Sequence, residues 1–183
     1  MFDRLFKISV FGDKEVGKIN LAKYINPRPF KNGSNSDLER SLFTIGQGFV
    51  SKLIETSGTR IRLSFYLFSD KERFKRLWDK YSKGTNGFIL MYDITNANSL
   101  NYLSEVLQVL TNFREKFNRS ILLVGNKLDL EEQREISKEQ IEQFKEEYDI
   151  TESIEISLKT GENVEQMLLQ LTKMLLSFYM EDE

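Results

Sequence analysis

A glycine-rich loop near the start of the chain constrains its fold more than any other feature. It runs from Gly12 to Lys18 as GDKEVGK, after an apolar run, Leu5–Phe11, and before a helix-like run, Asn20–Asn26. The spacing Gly-x-x-x-x-Gly-Lys is typical of a phosphate-binding loop, in which backbone N–H groups and a lysine hold nucleotide phosphates. The glycines allow a sharp turn and a close approach to the phosphates. The alternative is an ordinary glycine turn with a solvated lysine.

The position after the lysine departs from this pattern. A Ser or Thr normally follows, and its hydroxyl binds Mg²⁺, but this chain has Ile19. Three of the four defining positions therefore match. The rest of the sequence has to decide between a phosphate-binding loop and a plain turn.

Length and composition exclude several classes of protein. The chain has 183 residues, so we expect a single domain over residues 1–183. It contains no cysteine and no histidine, which excludes disulfides, thiolate zinc sites, a catalytic thiol and a Ser-His-Asp hydrolase. A net charge of −2 argues against a primary role on nucleic acid. No apolar run approaches the ~20 residues of a membrane-spanning helix, and the N-terminus does not resemble a signal peptide, so we expect a cytoplasmic protein.

Apolar, strand-like runs alternate with helical patterns along the chain. This alternation predicts an α/β fold of three layers, in which helices cover a doubly wound, mainly parallel six-stranded sheet. Ser57-Gly58 indicates a hairpin turn between the second and third strands. The predicted strands are Leu5–Phe11, Phe49–Glu55, Arg60–Phe68, Phe88–Tyr92, Ile121–Val124 and Ile154–Ile156. Apolar stripes at helical spacing predict three buried helix faces: Leu100, Leu103, Leu107, Leu110 and Phe117; Ile141, Phe144 and Tyr148; and Val164, Met167, Leu168, Leu171, Leu175 and Phe178.

Polar motifs follow two of the later strands, where each strand ends. Asn126, Lys127 and Asp129 follow the fifth strand, and Ser157-Leu158-Lys159 follows the sixth. An aspartate there can accept hydrogen bonds from both the N1–H and the exocyclic amine of guanine, a donor pair that adenine lacks. We expect Asn126 to brace the loops, the stem of Lys127 to pack on the base, and the last motif to meet the guanine carbonyl. Each motif alone could be a surface turn, but together, at the strand ends where doubly wound folds bind ligands, they favour a guanine nucleotide.

These motifs resemble those of the Ras superfamily of small GTPases, and most closely those of the Rab family. The resemblance covers nearly the whole chain and is continuous from Thr44 through Phe74. It implies the small G-protein fold, GTP or GDP as the ligand, an extended switch I-like loop over residues 31–46 and a switch II-like region over residues 67–83. The segments that carry it are GDKEVGK (Gly12–Lys18), TIG (Thr44–Gly46) with Phe49, ERF (Glu72–Phe74), MYDITN (Met91–Asn96), GNKLDL (Gly125–Leu130) and KTGENVEQM (Lys159–Met167).

The resemblance also implies which residues contact the nucleotide. Lys18 would hold the β- and γ-phosphates, Phe30 would pack against the edge of guanine, and Thr44 would report the γ-phosphate. Glu15 is expected in a left-handed backbone conformation, and Leu158, in place of the family's alanine, predicts a looser base pocket. The full implied set is Gly12, Asp13, Lys14, Glu15, Val16, Gly17, Lys18, Ile19, Asn20, Phe30, Thr44, Asn126, Lys127, Asp129, Ser157, Leu158 and Lys159.

The sequence departs from the family where magnesium and the attacking water bind. Ile19 and Leu67 replace the two usual magnesium ligands, which leaves Thr44 as the remaining candidate, so a magnesium site is doubtful. Asp70 replaces the glycine that senses the γ-phosphate, and Lys71 replaces the glutamine that orients the water. No catalytic residue is therefore predicted. We expect GTP hydrolysis to be absent or slowed by several orders of magnitude, because this reaction depends on positioning and charge neutralisation.

The two aliphatic replacements, Ile19 and Leu67, are interpreted as a paired change at one site. In the fold that the resemblance implies, Ile19 and Leu67 converge on the magnesium position, so we hypothesise that they touch and fill it. Lys14 or Lys71 would then supply positive charge toward the phosphates. The alternative is a decayed site that binds nothing.

Aromatic residues mark the surface through which the resemblance implies binding of protein effectors or regulators. Phe49, Tyr66 and Tyr81 match three aromatic positions that Rab effectors contact, although simple packing within the domain is an equal alternative. Trp78 lies in a charged stretch and is either an exposed hot spot or a cover of the core. Without a cysteine the family's usual lipid anchor has no attachment point, so membrane association would require partners.

Three functions remain open from the sequence. The first is a guanine-nucleotide-binding switch with weak magnesium dependence and little or no hydrolysis, acting in signalling or trafficking through effectors. The second is a nucleotide-free scaffold for protein interactions, and the third is an active GTPase with unconventional metal and water positioning. Asp129 favours the first function, because a pure scaffold has no physical need of a guanine-specific carboxylate.

Overall fold

The computed structural model describes residues 3–27, 40, 44–56, 58–110 and 121–180, apart from the side chains of residues 179 and 180. The predicted contact at Phe30, most of the predicted loop over residues 31–46, and Phe117 lie outside this range. The strands are β1 (Arg4–Gly12), β2 (Gln47–Thr56), β3 (Thr59–Phe68), β4 (Gly87–Asp93), β5 (Ile121–Asn126) and β6 (Glu152–Glu155).

Helices connect most of these strands. They are α1 (Lys18–Ile25), α2 (Glu72–Ser82), α3 (Ala97–Leu110), α4 (Lys138–Tyr148) and α5 (Val164–Met180), with a 3₁₀ helix over Leu128–Gln133. Within the described part of the chain, none of the helices has the length and apolarity needed to span a membrane.

The strands form one sheet in the order β2-β3-β1-β4-β5-β6. β2 and β3 are antiparallel, and the other neighbouring pairs are parallel. Thr56 pairs with Thr59 across the turn, and Gly58 has a φ of 77°, so the predicted hairpin is confirmed. The α/β fold with a mainly parallel sheet is also confirmed, and it brings the loops after β1, β3, β4 and β5 to one edge of the sheet.

Helices pack on both faces of this sheet. Because side chains alternate along a strand, Val10 and Leu67 face the core on the side of α1 and α5, whereas Phe11 and Phe68 face α2, α3 and α4. The described members of the three predicted apolar stripes lie on the helix faces that pack on these cores, apart from Phe178, which is half-buried near the end of α5. The two cores thus fix the strand ends that carry the loops.

Several element boundaries differ from the predictions. β6 spans Glu152–Glu155 instead of Ile154–Ile156, because the pairing with β5 begins at polar residues that an apolar pattern does not mark. α1 begins at Lys18 instead of Asn20, directly after Gly17 in the left-handed conformation. Hydrogen bonding of the backbone, not the apolar run, decides where these elements start.

The structure corrects the prediction that Trp78 is a partner-binding residue. Its side chain is only 1% exposed. The indole packs edge-on against Phe11 with 5.2 Å between ring centroids, and its Nε1–H donates to the Ser69 carbonyl at 3.3 Å. The charged neighbours in the sequence lie on the outer side of α2, so the alternative reading of Trp78 as a cover of the core is right.

Candidate functional site

The glycine-rich loop between β1 and α1 has the sharply turned backbone that its sequence predicts. Glu15 has a φ of 67° and Gly17 a φ of 109°, so the left-handed conformation expected for Glu15 is present. A Cβ atom at Gly12 would lie 2.7 Å from both the Met91 carbonyl oxygen and Val16 Cγ2. Only glycine fits there, because the loop packs tightly against the end of β4.

Asn126 connects this loop to the loop that follows β6. Its Nδ2 donates to the Val16 carbonyl at 2.9 Å, and its Oδ1 accepts from the Leu158 backbone N–H at 3.1 Å. A Cβ atom at Gly17 would lie 2.4 Å from Asn126 Nδ2, so glycine is also required at this contact. The side chain, which is 3% exposed, therefore braces the loops in the way its sequence position suggests.

Asp129 lies in the 3₁₀ helix after β5 with its carboxylate held from two sides. The Ser157 hydroxyl donates to Asp129 Oδ1 at 2.6 Å, and Lys159 Nζ lies 3.5 Å from Oδ2. The hydrogen bond from Ser157 and, to a smaller extent, the Lys159 ammonium hold the pKa of Asp129 below its usual value. The carboxylate is therefore ionised at neutral pH and can accept hydrogen bonds from a pair of N–H donors.

The structure adds Asp93 to this end of the site. Asp93 ends β4 and is 4% exposed, and its Oδ2 lies 2.5 Å from Lys127 Nζ. Its other oxygen accepts from the Thr95 backbone N–H at 2.9 Å. Lys127 has a φ of 71°, so a local left-handed turn directs the lysine across to β4. The MYDITN motif marked the strand end, but the pairing of Asp93 with Lys127 is visible only in three dimensions.

Lys18, the lysine of the glycine-rich loop, is 8% exposed and already has partners within the protein. Its Nζ donates to the Gly12 carbonyl and, at 2.7 Å, to the Asp13 carbonyl. Asp70 Oδ1 lies 3.7 Å from the same nitrogen. Burial lowers the pKa of Lys18 to about 8, and the negative charges of Asp70 and Asp13 oppose this shift. The sequence marks Asp70 as a departure from the family, but not as a partner of Lys18.

The positions that would hold a magnesium ion are apolar. Leu67 is fully buried in the core beneath α1 and α5, and Ile19 packs against the same core. Neither side chain has an oxygen to offer a hard cation, which requires oxygen ligands. No group of three or more Asp, Glu, His or Cys side chains with metal-site geometry occurs in the ranges that the structure describes. The residues present therefore do not fit the conventional magnesium site of the family.

The remaining predicted contacts lie toward solvent. Lys14 and Glu15 are both 78% exposed and lie 3.6 Å apart, so the nearest described charge partner of Lys14 is its own neighbour. Asn20 is exposed on α1. The Thr44 hydroxyl, which is also exposed, donates to the Arg40 carbonyl at 2.9 Å.

Two of the three predicted effector-contact aromatics form a surface pair. Phe49 on β2 is 52% exposed, and its ring lies 5.1 Å from that of half-buried Tyr66 on β3. Lys7 Nζ lies 4.9 Å from the centroid of the Tyr66 ring. Tyr81 is half-buried and packs toward Phe68 with 6.4 Å between ring centroids.

Comparison with known proteins agrees with this arrangement. The Ras family model matches residues 7–177 of the chain. Ras-related protein Rab-30 of Homo sapiens is 35% identical over 177 residues, which cover 96% of this chain and 82% of that protein. Ras-related protein Rab-1 of Theileria parva is 33% identical over 175 residues, or 95% of this chain and 76% of the relative. Ras-related protein Rab-4A of Mus musculus is 33% identical over 178 residues, which cover 96% and 77%. This chain therefore belongs to the Ras family and is a Rab-like member of the Ras superfamily of small GTPases.

Proposed function

We propose that this protein binds GDP or GTP with little dependence on magnesium, hydrolyses GTP slowly or not at all, and acts through protein effectors or regulators. One observation carries the proposal. The carboxylate of Asp129 is ionised and oriented by Ser157 at 2.6 Å, beside a brace made by Asn126, whereas Ile19 and Leu67 leave the metal position apolar. The site keeps the means to recognise a base and has lost the usual means to hold a cation.

Guanine recognition follows from the geometry of the base end of the site, which consists of Asn126, Asp129, Ser157, Leu158 and Lys159. Asp129 would accept the N1–H and the exocyclic amine, while the backbone N–H groups around Leu158 would meet the guanine carbonyl. Ser157 and Lys159 hold the carboxylate before the ligand arrives, so little reorganisation is needed on binding. The backbone N–H groups of the loop from Gly12 to Lys18 would receive the phosphates.

Slow hydrolysis follows from the phosphate end of the site, which consists of the loop Gly12–Lys18 with Ile19, Leu67, Asp70 and Lys71. In phosphoryl transfer the protein supplies positioning and charge neutralisation, mostly through the metal and a side chain that orients the water. Ile19 and Leu67 cannot ligate a metal, and Lys71 cannot accept a proton from water while it is charged. We therefore assign no catalytic step to any residue of this chain.

The proposal is tested by the nucleotide content of the purified protein. Denaturation of the full chain followed by chromatography should release guanine nucleotide, and added GDP should raise the melting temperature by the same amount with EDTA and with excess Mg²⁺. A sharp loss of affinity in EDTA would contradict the weak magnesium dependence. An empty protein that shows no thermal shift with GDP or GTP would contradict nucleotide binding altogether.

A nucleotide-free scaffold is the second candidate, and one observation favours it. Lys18 Nζ contacts two backbone carbonyls and Asp70 within the protein, which are the contacts expected of a structural lysine. The same chromatography decides between the two functions, because a scaffold would release no nucleotide.

Effector binding is proposed for the surface around Phe49 and Tyr66. These rings lie on neighbouring strands and expose aromatic area, which is enriched in protein interfaces. Tyr81 would contribute only its exposed part, and Trp78 would not contribute, because it is buried. We propose that any association with membranes in the cytoplasm is mediated by such partners.

A further inference from the structure

Lys18 and Asp70 form an ion pair inside the phosphate end of the site. Asp70 follows β3, and its Oδ1 lies 3.7 Å from Lys18 Nζ. The side chain of Lys18 is 8% exposed and that of Asp70 is 28% exposed, so solvent screens the pair only in part. A carboxylate thus lies beside the nitrogen that a phosphate-binding loop uses to hold the β- and γ-phosphates of a nucleotide.

The segment before Asp70 is anchored from both sides. The backbone N–H of Ser69 donates to the Gly46 carbonyl at 2.9 Å, and the Ser69 carbonyl accepts from Trp78 Nε1 at 3.3 Å. Ser69 is 5% exposed. The Ser69 hydroxyl also accepts from the Lys71 backbone N–H at 3.4 Å, next to the start of α2. Asp70 is therefore presented to Lys18 by a packed turn and not by a loose surface loop.

We propose that Asp70 is a built-in substitute for the terminal phosphate of a nucleoside triphosphate, and that it makes this site select GDP over GTP. The inference rests on the proposed function, because it requires that the site binds guanine nucleotide. A diphosphate can share Lys18 with Asp70. The γ-phosphate of a triphosphate would have to displace Asp70 or lie beside it.

The missing metal ligands increase this discrimination. A γ-phosphate brings negative charge close to the carboxylate, and the aliphatic side chains of Ile19 and Leu67 offer no oxygen to a cation that would offset the repulsion. Two like charges at about 4 Å in a partly buried site repel strongly enough to change an affinity by one to two orders of magnitude, after allowance for solvent screening. GDP carries no γ-phosphate, so its repulsion by Asp70 is smaller than that of GTP.

The experiment measures dissociation constants for GDP and GTP with the full chain after removal of bound nucleotide. The variants are Asp70→Asn, which keeps the shape and removes the charge, and Asp70→Gly, which removes the side chain. Asp79→Asn is the matched control, since Asp79 is an exposed carboxylate on α2. We expect the wild type to bind GDP at least about tenfold more tightly than GTP, and both Asp70 variants to bring this ratio within about threefold by binding GTP more tightly. The control should keep the wild-type ratio.

Other outcomes separate this inference from the proposed function. Equal binding of GDP and GTP by the wild type overturns the role of Asp70 and leaves nucleotide binding intact. A Mg²⁺-dependent affinity for GTP that disappears in Asp70→Asn also overturns it, because Asp70 would then act as a metal ligand. Failure of the wild type and all variants to bind either nucleotide overturns the proposed function itself. If both Asp70 variants fail to fold, a wild-type ratio of GDP to GTP affinity near one still overturns the role of Asp70.

Discussion

The base end and the phosphate end of this site are built on opposite principles. At the base end Asn126 braces the loops through Val16 and Leu158, while Ser157 donates to Asp129 and lowers the pKa of its carboxyl. At the phosphate end Lys18 contacts the protein itself, and the residues at the two usual metal-ligand positions, Ile19 and Leu67, are aliphatic. The carboxylate of Asp129 at the base end is held in position for a ligand, whereas Lys18 at the phosphate end has hydrogen-bond and charge partners within the protein.

This difference determines where binding energy can come from. A ligand at the base end adds hydrogen bonds to groups that are held in position. A ligand at the phosphate end must first replace hydrogen bonds and an ion pair that Lys18 already makes, so its net gain is smaller. We therefore expect the base to contribute more to affinity, relative to the phosphates, than it would in a site with the usual oxygen ligands for magnesium.

The largest effect is expected on stability, at Trp78, whose indole anchors the segment before Asp70 in the core. Trp78→Ala should lower the free energy of unfolding by about 3–5 kcal/mol, because it removes a fully buried aromatic side chain and its hydrogen bond to Ser69. Trp78→Phe, which keeps most of the packing, should cost less than half as much. Chemical denaturation measures both values. Equal and small losses would mean that Trp78 does not hold the segment before Asp70.

Removal of the guanine acceptor tests the base end directly. Asp129→Asn should weaken GDP binding by about 100-fold or more, because charge-assisted hydrogen bonds to the base are lost. Glu132→Gln, an exposed carboxylate in the same 3₁₀ helix, serves as the control and should bind GDP like the wild type. Calorimetric titration gives the two constants. An unchanged affinity for GDP in Asp129→Asn would contradict the role of Asp129 in guanine recognition, and with it the contrast between the base end and the phosphate end.

The buried lysine predicts a pH dependence of stability in the nucleotide-free protein. The pKa of Lys18 falls from 10.5 to about 8 on folding. Between these values the unfolded chain keeps a proton that the folded protein has lost, so stability rises with pH. The unfolding free energy of the wild type should therefore rise, relative to that of Lys18→Met, by about 3 kcal/mol between pH 7 and pH 10.5.

Two controls accompany the pH series. Lys80→Met removes an exposed lysine of α2 and should show no such change relative to the wild type. Excess GDP should flatten the wild-type profile, because phosphates hold Lys18 in its charged form. A pH-independent difference between the wild type and Lys18→Met would show that the lysine is solvated and that the phosphate end is open.

A hydroxyl at position 19 should restore part of the family's magnesium dependence. Ile19→Ser supplies one oxygen while Leu67 stays aliphatic, so we expect EDTA to weaken GDP binding by less than about tenfold in this variant and not at all in Ile19→Val. Titrations in EDTA and in excess Mg²⁺ measure the difference. A wild type that responds to EDTA as strongly as Ile19→Ser would contradict the apolar metal position.

The smallest effect is expected away from both ends. Phe49→Ala should lower the free energy of unfolding by less than about 1 kcal/mol and leave GDP affinity unchanged, because the ring is 52% exposed on β2. The contrast with Trp78→Ala separates a surface aromatic from a core aromatic. A loss of several kcal/mol in Phe49→Ala would assign this residue to the core and weaken its proposed role in effector binding.

Sequence patterns predicted the sheet and the loops because those features depend on local residue type. Glycine spacing predicted the turned loop around Glu15, and apolar runs ending in polar motifs placed Asn126 and Asp129 at one edge of the sheet. Trp78 was open to two interpretations, since a tryptophan among charged residues fits either face of a helix. Only the packing of its indole against Phe11 assigned it to the core.

The sequence did not predict the ion pairs between residues that lie far apart in the chain. Two ion pairs, Asp93 with Lys127 and Lys18 with Asp70, each join residues from different parts of the fold: the end of β4 with the turn after β5, and the start of α1 with the turn after β3. Their distances depend on how strand ends meet, which no local pattern encodes.

The sequence by itself determined that this chain carries a guanine-type base motif and a phosphate-type loop, and that it lacks the oxygen ligands for magnesium at Ile19 and Leu67. These follow from which chemical groups are present and in what order. Tertiary structure alone decided which contacts those groups make within the protein: Asn126 braces the loops, Ser157 donates to Asp129, and Asp70 contacts the buried Lys18. The physical reason is that a charge buried by folding must find a partner within reach, and reach is set by the packing of strands and helices.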